Sequence, residues 1–243
     1  MTGSAEEKKR LELAFEGYYR DPHVHARWDF SNAGNRWIGR ERDEAVEMLL
    51  RECGAWPPQG YRILDIGCGS GARLAQFGSW GARSRDLVGV DLVHERLEQG
   101  RMSHPDVGLV CSDGSRTPFP DAAFGLVLAF TLFSTVLDPA LRAAIATEVD
   151  RLLRPSGSLL FYDQRVLSPR NPHSRPVSKR ELSSLFPDYD RRLRPITVVP
   201  PVARRLGRLT NAAYPLLRVV RPLRTHYIAT LTKPGRSGFV GER

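Results

Sequence analysis

Three cysteines in 243 residues, Cys53, Cys68 and Cys111, are an odd number and show no metal-ligand spacing. They exclude a disulfide-stapled scaffold and a cysteine-held zinc site, and they fit a reduced, cytoplasmic protein. Histidine is sparse too, and no grouping of His, Asp and Glu falls at ligand spacing, so no metal is expected. No apolar run reaches the roughly 18 residues that span a bilayer. The opening segment MTGSAEEKKRLELAFEGYY is charged and lacks the apolar stretch of a secretory leader. Repeats and low-complexity linkers are absent as well. What remains is a chain with 41% apolar residues, long enough for one large domain with a buried core.

Lysine is the other scarcity. Only Lys8, Lys9, Lys179 and Lys233 occur, so arginine carries nearly all the positive charge. The net charge of +9 is unevenly placed: the stretch from Arg165 to Arg243 holds 17 of the 36 basic residues and 4 of the 27 acidic ones. A solvated basic face accounts for that excess. So would attraction to an anionic acceptor, a membrane surface or RNA.

Hydrophobic patterning divides the chain. Residues 6–20 read as a helix, 21–38 as an aromatic, turn-rich irregular segment, and Arg40 to Cys53 as a helix. Pro57, Pro58 and Gly60 close that region. Strands then alternate with helices: strand Tyr61–Ile66, helix Ala72–Trp80, strand Leu87–Val90, helix Glu95–Arg101, strand Val107–Cys111, strand Phe124–Phe130. A helix opened by Asp138 and Pro139 follows, then strand Ser158–Tyr162. Continuous apolar strands between amphipathic helices predict an α/β fold with a doubly wound, mostly parallel sheet. Ser178 and Glu181 form a capping-box pattern ahead of a short helix. Strands Arg191–Val199 and Leu223–Thr232 flank a mostly helical insert. They complete seven strands, the last one antiparallel.

The stretch ILDIGCGSGARL, Ile63 to Leu74, ends an apolar strand in Asp65 and places Gly67, Gly69 and Gly71 at alternate positions. Gly67, Gly69 and Ala72 satisfy the spacing of a dinucleotide-binding turn, with Asp91 at the distance of a ribose-binding carboxylate. Asp65 opposes that reading, because a carboxylate two residues before the first glycine would repel a pyrophosphate. It suits a ligand that brings positive charge instead.

Further stretches follow in order: VGVDL at 88–92, CSDGSRTPFPDAAF at 111–124, and LLRPSGSLLFYD at 152–163. Together, over roughly Tyr61 to Asp163, they resemble the class I S-adenosylmethionine-dependent methyltransferases. The resemblance implies a Rossmann-like fold and S-adenosylmethionine as cofactor. Asp65, Gly67, Gly69 and Gly71 would line its methionine portion. Asp91 would take the ribose hydroxyls with Leu92 alongside, and Asp113, Ser112 and Gly114 would meet the adenine. Phe130 and Thr131 would flank the donor, and Arg36 is a candidate partner for its carboxylate. Gly125 departs from the Asp often found there in the family. The N-terminal segment, with His23 and His25, would close over the donor as is common in the family.

The acceptor is less defined. The segment after Phe130 lacks the Asn/Asp-Pro-Pro-aromatic signature of enzymes that methylate exocyclic amines. Phe133 is a candidate for shaping the acceptor pocket or for the core. Asp163, at a strand end, is a candidate general base, hydrogen-bond partner or turn residue. His226 is a candidate base or a packed histidine, and Arg165 and His173 are candidate substrate contacts. One domain, 1–243, is expected. It comprises an N-terminal helical cap 1–56, a donor-binding core 57–163, a substrate side 164–232 and a loose tail 233–243. The substrate side carries the basic and apolar insert 200–222, expected above the active face. The expected activity is methyl transfer to a small molecule, anionic or lipid-linked, through oxygen, in natural-product or glycan biosynthesis, with peripheral membrane contact. RNA methylation by the basic third, and donor binding without transfer, are the competing readings.

Overall fold

The computed structural model describes residues 2–20, 27, 29–168 and 171–235. Seven strands form a single sheet: β1 Ile63–Ile66, β2 Leu87–Asp91, β3 Gly108–Cys111, β4 Phe124–Phe130, β5 Leu153–Gln164, β6 Asp190–Val198 and β7 Arg224–Thr232. Their order is β3-β2-β1-β4-β5-β7-β6. The first five run parallel, and β7 is antiparallel to both β5 and β6. β1 and β4 are neighbours although β2 and β3 lie between them in sequence. Strand order therefore reverses at β1/β4, and in open α/β sheets ligands bind in the crevice beyond such a reversal, at the strands' carboxyl ends.

Helices cover both faces: α1 Thr2–Arg20, α2 Ala33–Glu52, α3 Ala72–Ser79, α4 His94–Ser103, α5 Pro139–Leu152, α6 Lys179–Leu185, α7 Pro200–Arg205 and α8 Thr210–Leu217. Because side chains alternate along a strand, each strand feeds two cores. Ile63, Leu126, Leu128, Leu160 and Ile228 pack under α2 and α3. Leu64, Val127, Ala129, Phe161 and Ala229 pack under α5 and α6. The expected caps hold where tested: Asp138 accepts from the Ala140 amide, and Ser178 from the Glu181 amide. Glu181 spends its own carboxylate on Arg142 and Arg175. No helix among the described residues is long and apolar enough to cross a membrane.

Two expectations change. The helix expected from Arg40 begins at Ala33, so residues 33–38 are helical and not irregular; Asn32 caps it by accepting from the Gly34 amide. Gly34 and Gly39 interrupt the apolar pattern there. Gly34 is needed for packing, since a Cβ at that position would lie 2.3 Å from the Ala203 carbonyl oxygen. The insert, expected above the active face, packs against the first turns of α2. Ala203 and Tyr214 form a small core with Ile38 and Val198, and Tyr214 stacks on Trp37. Buried Glu41 on α2 clamps this unit, accepting from the Thr197 amide and the Tyr214 hydroxyl. At Gly125, a side chain would collide with the Tyr61 ring and Arg154, which stack on each other. The segment holding His23 and His25 lies outside the described residues.

Candidate active site

A cavity of about 820 Å³ opens between α2 and the carboxyl ends of β1, β4 and β5. The turn from β1 into α3 forms its floor. Gly67, Gly69 and Gly71 have φ of +75°, +59° and +76°, left-handed values that L side chains rarely adopt. That geometry bends the chain sharply enough to bring its backbone to the cavity, and the Gly69 amide donates to Asp91 Oδ2 at 2.7 Å.

Asp65 is 2% exposed and lines the cavity, and its Oδ1 has no hydrogen-bond partner among the described residues. Burial raises its pKa to about 7. Arg73 and Arg96 favour its charge, and Asp91 opposes it. An incompletely satisfied buried carboxylate is costly unless a donor or cation completes it. The site therefore fits a ligand with a cationic head, and it suits S-adenosylmethionine better than a diphosphate.

Asp91, at the end of β2, also accepts from the Val93 amide through Oδ1 and pairs with Arg96 at 3.1 Å. Asp113 is held by Ser115 and by Lys8 of α1, and these partners keep its carboxyl below the usual range despite burial. Helix α1 thus lies across the loops after β3 and β4. There Glu7 also accepts from the Leu137 amide, and Arg10 donates to the Thr135 carbonyl. Ser112 and Gly114 flank Asp113, with Gly114 passing close to Ile66, and Leu92 follows Asp91. Neither Asp91 nor Asp113 lines the cavity, which on that side reaches the glycine turn and Arg96.

Phe130, Thr131 and Arg36 do line it. Thr131 follows β4 at φ +54°, with its amide bonded to the Tyr162 carbonyl. Arg36 is tied to the Phe30 and Ser31 carbonyls.

The expected acceptor residues are placed differently. Asp163 is fully buried on the face opposite the cavity, because Tyr162 and not Asp163 takes the inward position of β5. Its carboxylate accepts from the Ser134 and Gln164 amides, and burial raises its pKa to about 6. It is a positioned strand-end carboxylate without access to the cavity. Phe133 is fully buried on that same far face, against Phe161 and Phe186. Arg165 lies against Tyr227 and donates to the Arg224 carbonyl, and His173 is exposed in a loop. Neither reaches the cavity wall. His226 is 8% exposed and stacked on Tyr162 with centroids 4.9 Å apart; burial and Arg42 lower its pKa to about 4. It is the packed histidine of the two readings, neutral and weakly basic.

The cavity also holds residues that sequence reasoning passed over: Arg42 and Asp43 of α2, Arg73 and Gln76 of α3, Tyr162 and Trp80. A signal existed. Arg36, Arg40, Asp43, Glu44 and Glu47 fall at helical spacing along one stripe of α2, too charged for a core face and too regular for chance.

Residues 64–161 match the methyltransferase domain family. A fatty-acid O-methyltransferase of Mycolicibacterium smegmatis is 30% identical over 151 residues, 61% of this chain and 51% of the relative. An O-methyltransferase of Penicillium expansum is 30% identical over 139 residues, 52% of this chain and 49% of the relative. The chain spans about half the length of these curated relatives. Among solved structures, an S-adenosylmethionine-dependent methyltransferase from Archaeoglobus fulgidus superposes with a TM-score of 0.59 at 17% identity, covering 88% of this chain and 100% of the other. Over residues 64–161 the chain is similar to the methyltransferase domain, and its fold is that of the solved S-adenosylmethionine-dependent methyltransferases.

Proposed function

We propose that the protein transfers a methyl group from S-adenosylmethionine to an oxygen of a small molecule. The observation that carries the reading is Asp65: buried, short of one hydrogen-bond partner, and at the glycine turn. Asp65 and the turn would hold the methionine portion, with Phe130 and Thr131 beside it. Asp91 would hold the ribose, and Asp113, flanked by Ser112 and Gly114, the adenine. When bound, the donor supplies an electrophilic methyl on a sulfonium. This chain's contribution is to orient the acceptor behind that methyl and exclude water. Phe130 and Tyr162, 5.7 Å apart, supply the apolar wall for this.

Oxygen is favoured by the names of these two relatives, and a fatty acceptor by that of the first. The insert supports a lipid-linked acceptor met at a membrane surface. Leu209, Leu216 and Val219 are about two-thirds exposed there, beside exposed Arg205, Arg208 and Arg221. RNA is disfavoured because much of the basic third is already spent within the fold. Arg191, Arg192 and Arg224 donate to backbone carbonyls, and Arg194 pairs with Glu52.

The test is incubation with methyl-labelled donor and panels of hydroxylated metabolites, carboxylic acids and RNA. Label in an organic-extractable low-mass product is expected. Label in RNA, or no transfer to any small acceptor by protein that binds donor, would contradict the reading.

A further inference from the structure

The cavity carries charges of both signs. At the glycine turn stand Asp65 and, behind it, Asp91 with its partner Arg96. Over the tips of β4 and β5 stand two guanidinium groups, of which Arg73 also acts on Asp65. Arg73 lies 4.8 Å from the Phe130 ring centroid, and Arg42 lies 5.8 Å from that of Tyr162.

Their partners differ. Asp43 is consumed by Arg73, at 2.8 Å, and by Gln76, at 2.7 Å. Arg42 reaches the same carboxylate only at 3.7 Å, too long for a hydrogen bond. Its Nε is buried without a hydrogen-bond partner among the described residues. Asp43 thus hydrogen-bonds Arg73 and only ion-pairs with Arg42, whose Nε keeps a donor without a hydrogen bond beside an aromatic wall. The excess positive charge is felt by its neighbours: Arg42 depresses the basicity of His226, and Arg42 lowers that of Arg73 after burial itself.

Resting on the donor assignment above, we propose that Arg42, with Arg73 beside it, is the acceptor-recognition site, and that the acceptor is a carboxylate on an apolar body. An arginine presents parallel N–H donors that match a carboxylate's two oxygens. Phe130, Tyr162, Trp80 and Phe30 on the cavity wall suit the apolar remainder.

The chemistry agrees. An alcohol must lose a proton on methylation, and neither expected base serves: His226 is neutral and weakly basic, and Asp163 faces away, while Asp65 is assigned to the donor. A carboxylate arrives already deprotonated. Its oxygen forms the new bond to the methyl carbon, the sulfur keeps the electron pair of the broken C–S bond, and no proton is released. A methyl ester and a neutral thioether result. An anion and a cation held in one low-dielectric cavity then become two neutral products, a reaction that water exclusion assists.

Calorimetry on the full chain tests this. Decanoate, decanol and methyl decanoate are titrated into protein preloaded with S-adenosylhomocysteine, and S-adenosylmethionine is titrated separately. Wild type should bind decanoate about tenfold or more tightly than either neutral analogue, the discrimination expected of a charge-assisted contact. Arg42→Gln should lose that preference, keep donor affinity within about twofold, and keep its melting temperature, with Arg42→Lys intermediate. Three results would overturn the proposal: no preference for decanoate in wild type, an Arg42→Gln variant that keeps the preference, or one that loses donor affinity. The last would assign the cation to the donor's own carboxylate. Wild type that binds no S-adenosylmethionine would instead remove the methyltransferase reading beneath it.

Discussion

Asp65 is where stability and binding are set against each other. Its carboxyl has a pKa of about 7 in the fold against 3.8 for the ordinary group. An unfolded chain therefore gives up that proton first, and the fold loses stability as pH rises through the window between those values. Asp65→Asn removes the penalty. Without ligand, the variant should melt higher than the parent at pH 8 and show no such gain at pH 4, checked by thermal unfolding at both. A cationic donor favours ionised Asp65, so donor affinity should climb as pH rises through about 7 and be flat in the variant, which should bind about tenfold or more weakly. Asp65 and the glycine turn were legible in the sequence as cavity residues because they lie at the end of a strand, where local pattern and position coincide; Asp91 and Asp113 stand at and just past strand ends as read, but outside the cavity wall. Arg42 and Arg73 were not: a helical arginine becomes a site residue only once it is known which helix face docks on which strand.

At the scale of elements, α2 is the organising piece. Its first turns carry the insert, and its middle turns wall the cavity. Gly34→Ala would drive a Cβ into the Ala203 backbone. It should cost about 1–3 kcal/mol, the range for overpacking a fitted contact, read by chemical denaturation. Glu41→Ala leaves the Thr197 amide and the Tyr214 hydroxyl without their acceptor and should cost a similar amount. Strand positions and most helix bounds followed from periodicity, since buried parallel strands read as apolar runs and α5 and α6 begin at recognisable caps. The start of α2 did not, because Gly34 and its cap Asn32 serve contacts with a segment some 170 residues later in the chain, and Gly39 makes room for Phe30. Asp163 shows a different failure. Its place at a strand's carboxyl end was read correctly, but the two-residue alternation sends it to the far face and leaves Tyr162 at the cavity.

For the whole molecule, the reversal of strand order between β1 and β4 fixes where a ligand can sit, and charge fixes which ligand. Asp65 borders the glycine turn, and Arg42 and Arg73 stand over the tips of β4 and β5, so one cavity suits a cation and an anion side by side. The excess of arginine in the last third lies elsewhere, on the insert and the β6–β7 edge. With exposed Leu209, Leu216 and Val219, it should draw the protein onto vesicles containing phosphatidylglycerol, in a flotation assay at low ionic strength. Added salt should weaken that binding, since surface attraction decays over roughly a Debye length, ~8 Å at physiological salt. Leu216→Glu should abolish it without changing donor affinity. Vesicle binding that ignores salt and survives the substitution would remove the insert from the account.

The most direct measurement is a calorimetric competition at the glycine turn, with S-adenosylmethionine and NADH titrated into the same preparation at pH 8. The account predicts one site for S-adenosylmethionine, weakened by Asp65→Asn, and no heat from NADH. Saturable binding of NADH that S-adenosylmethionine cannot displace would contradict it.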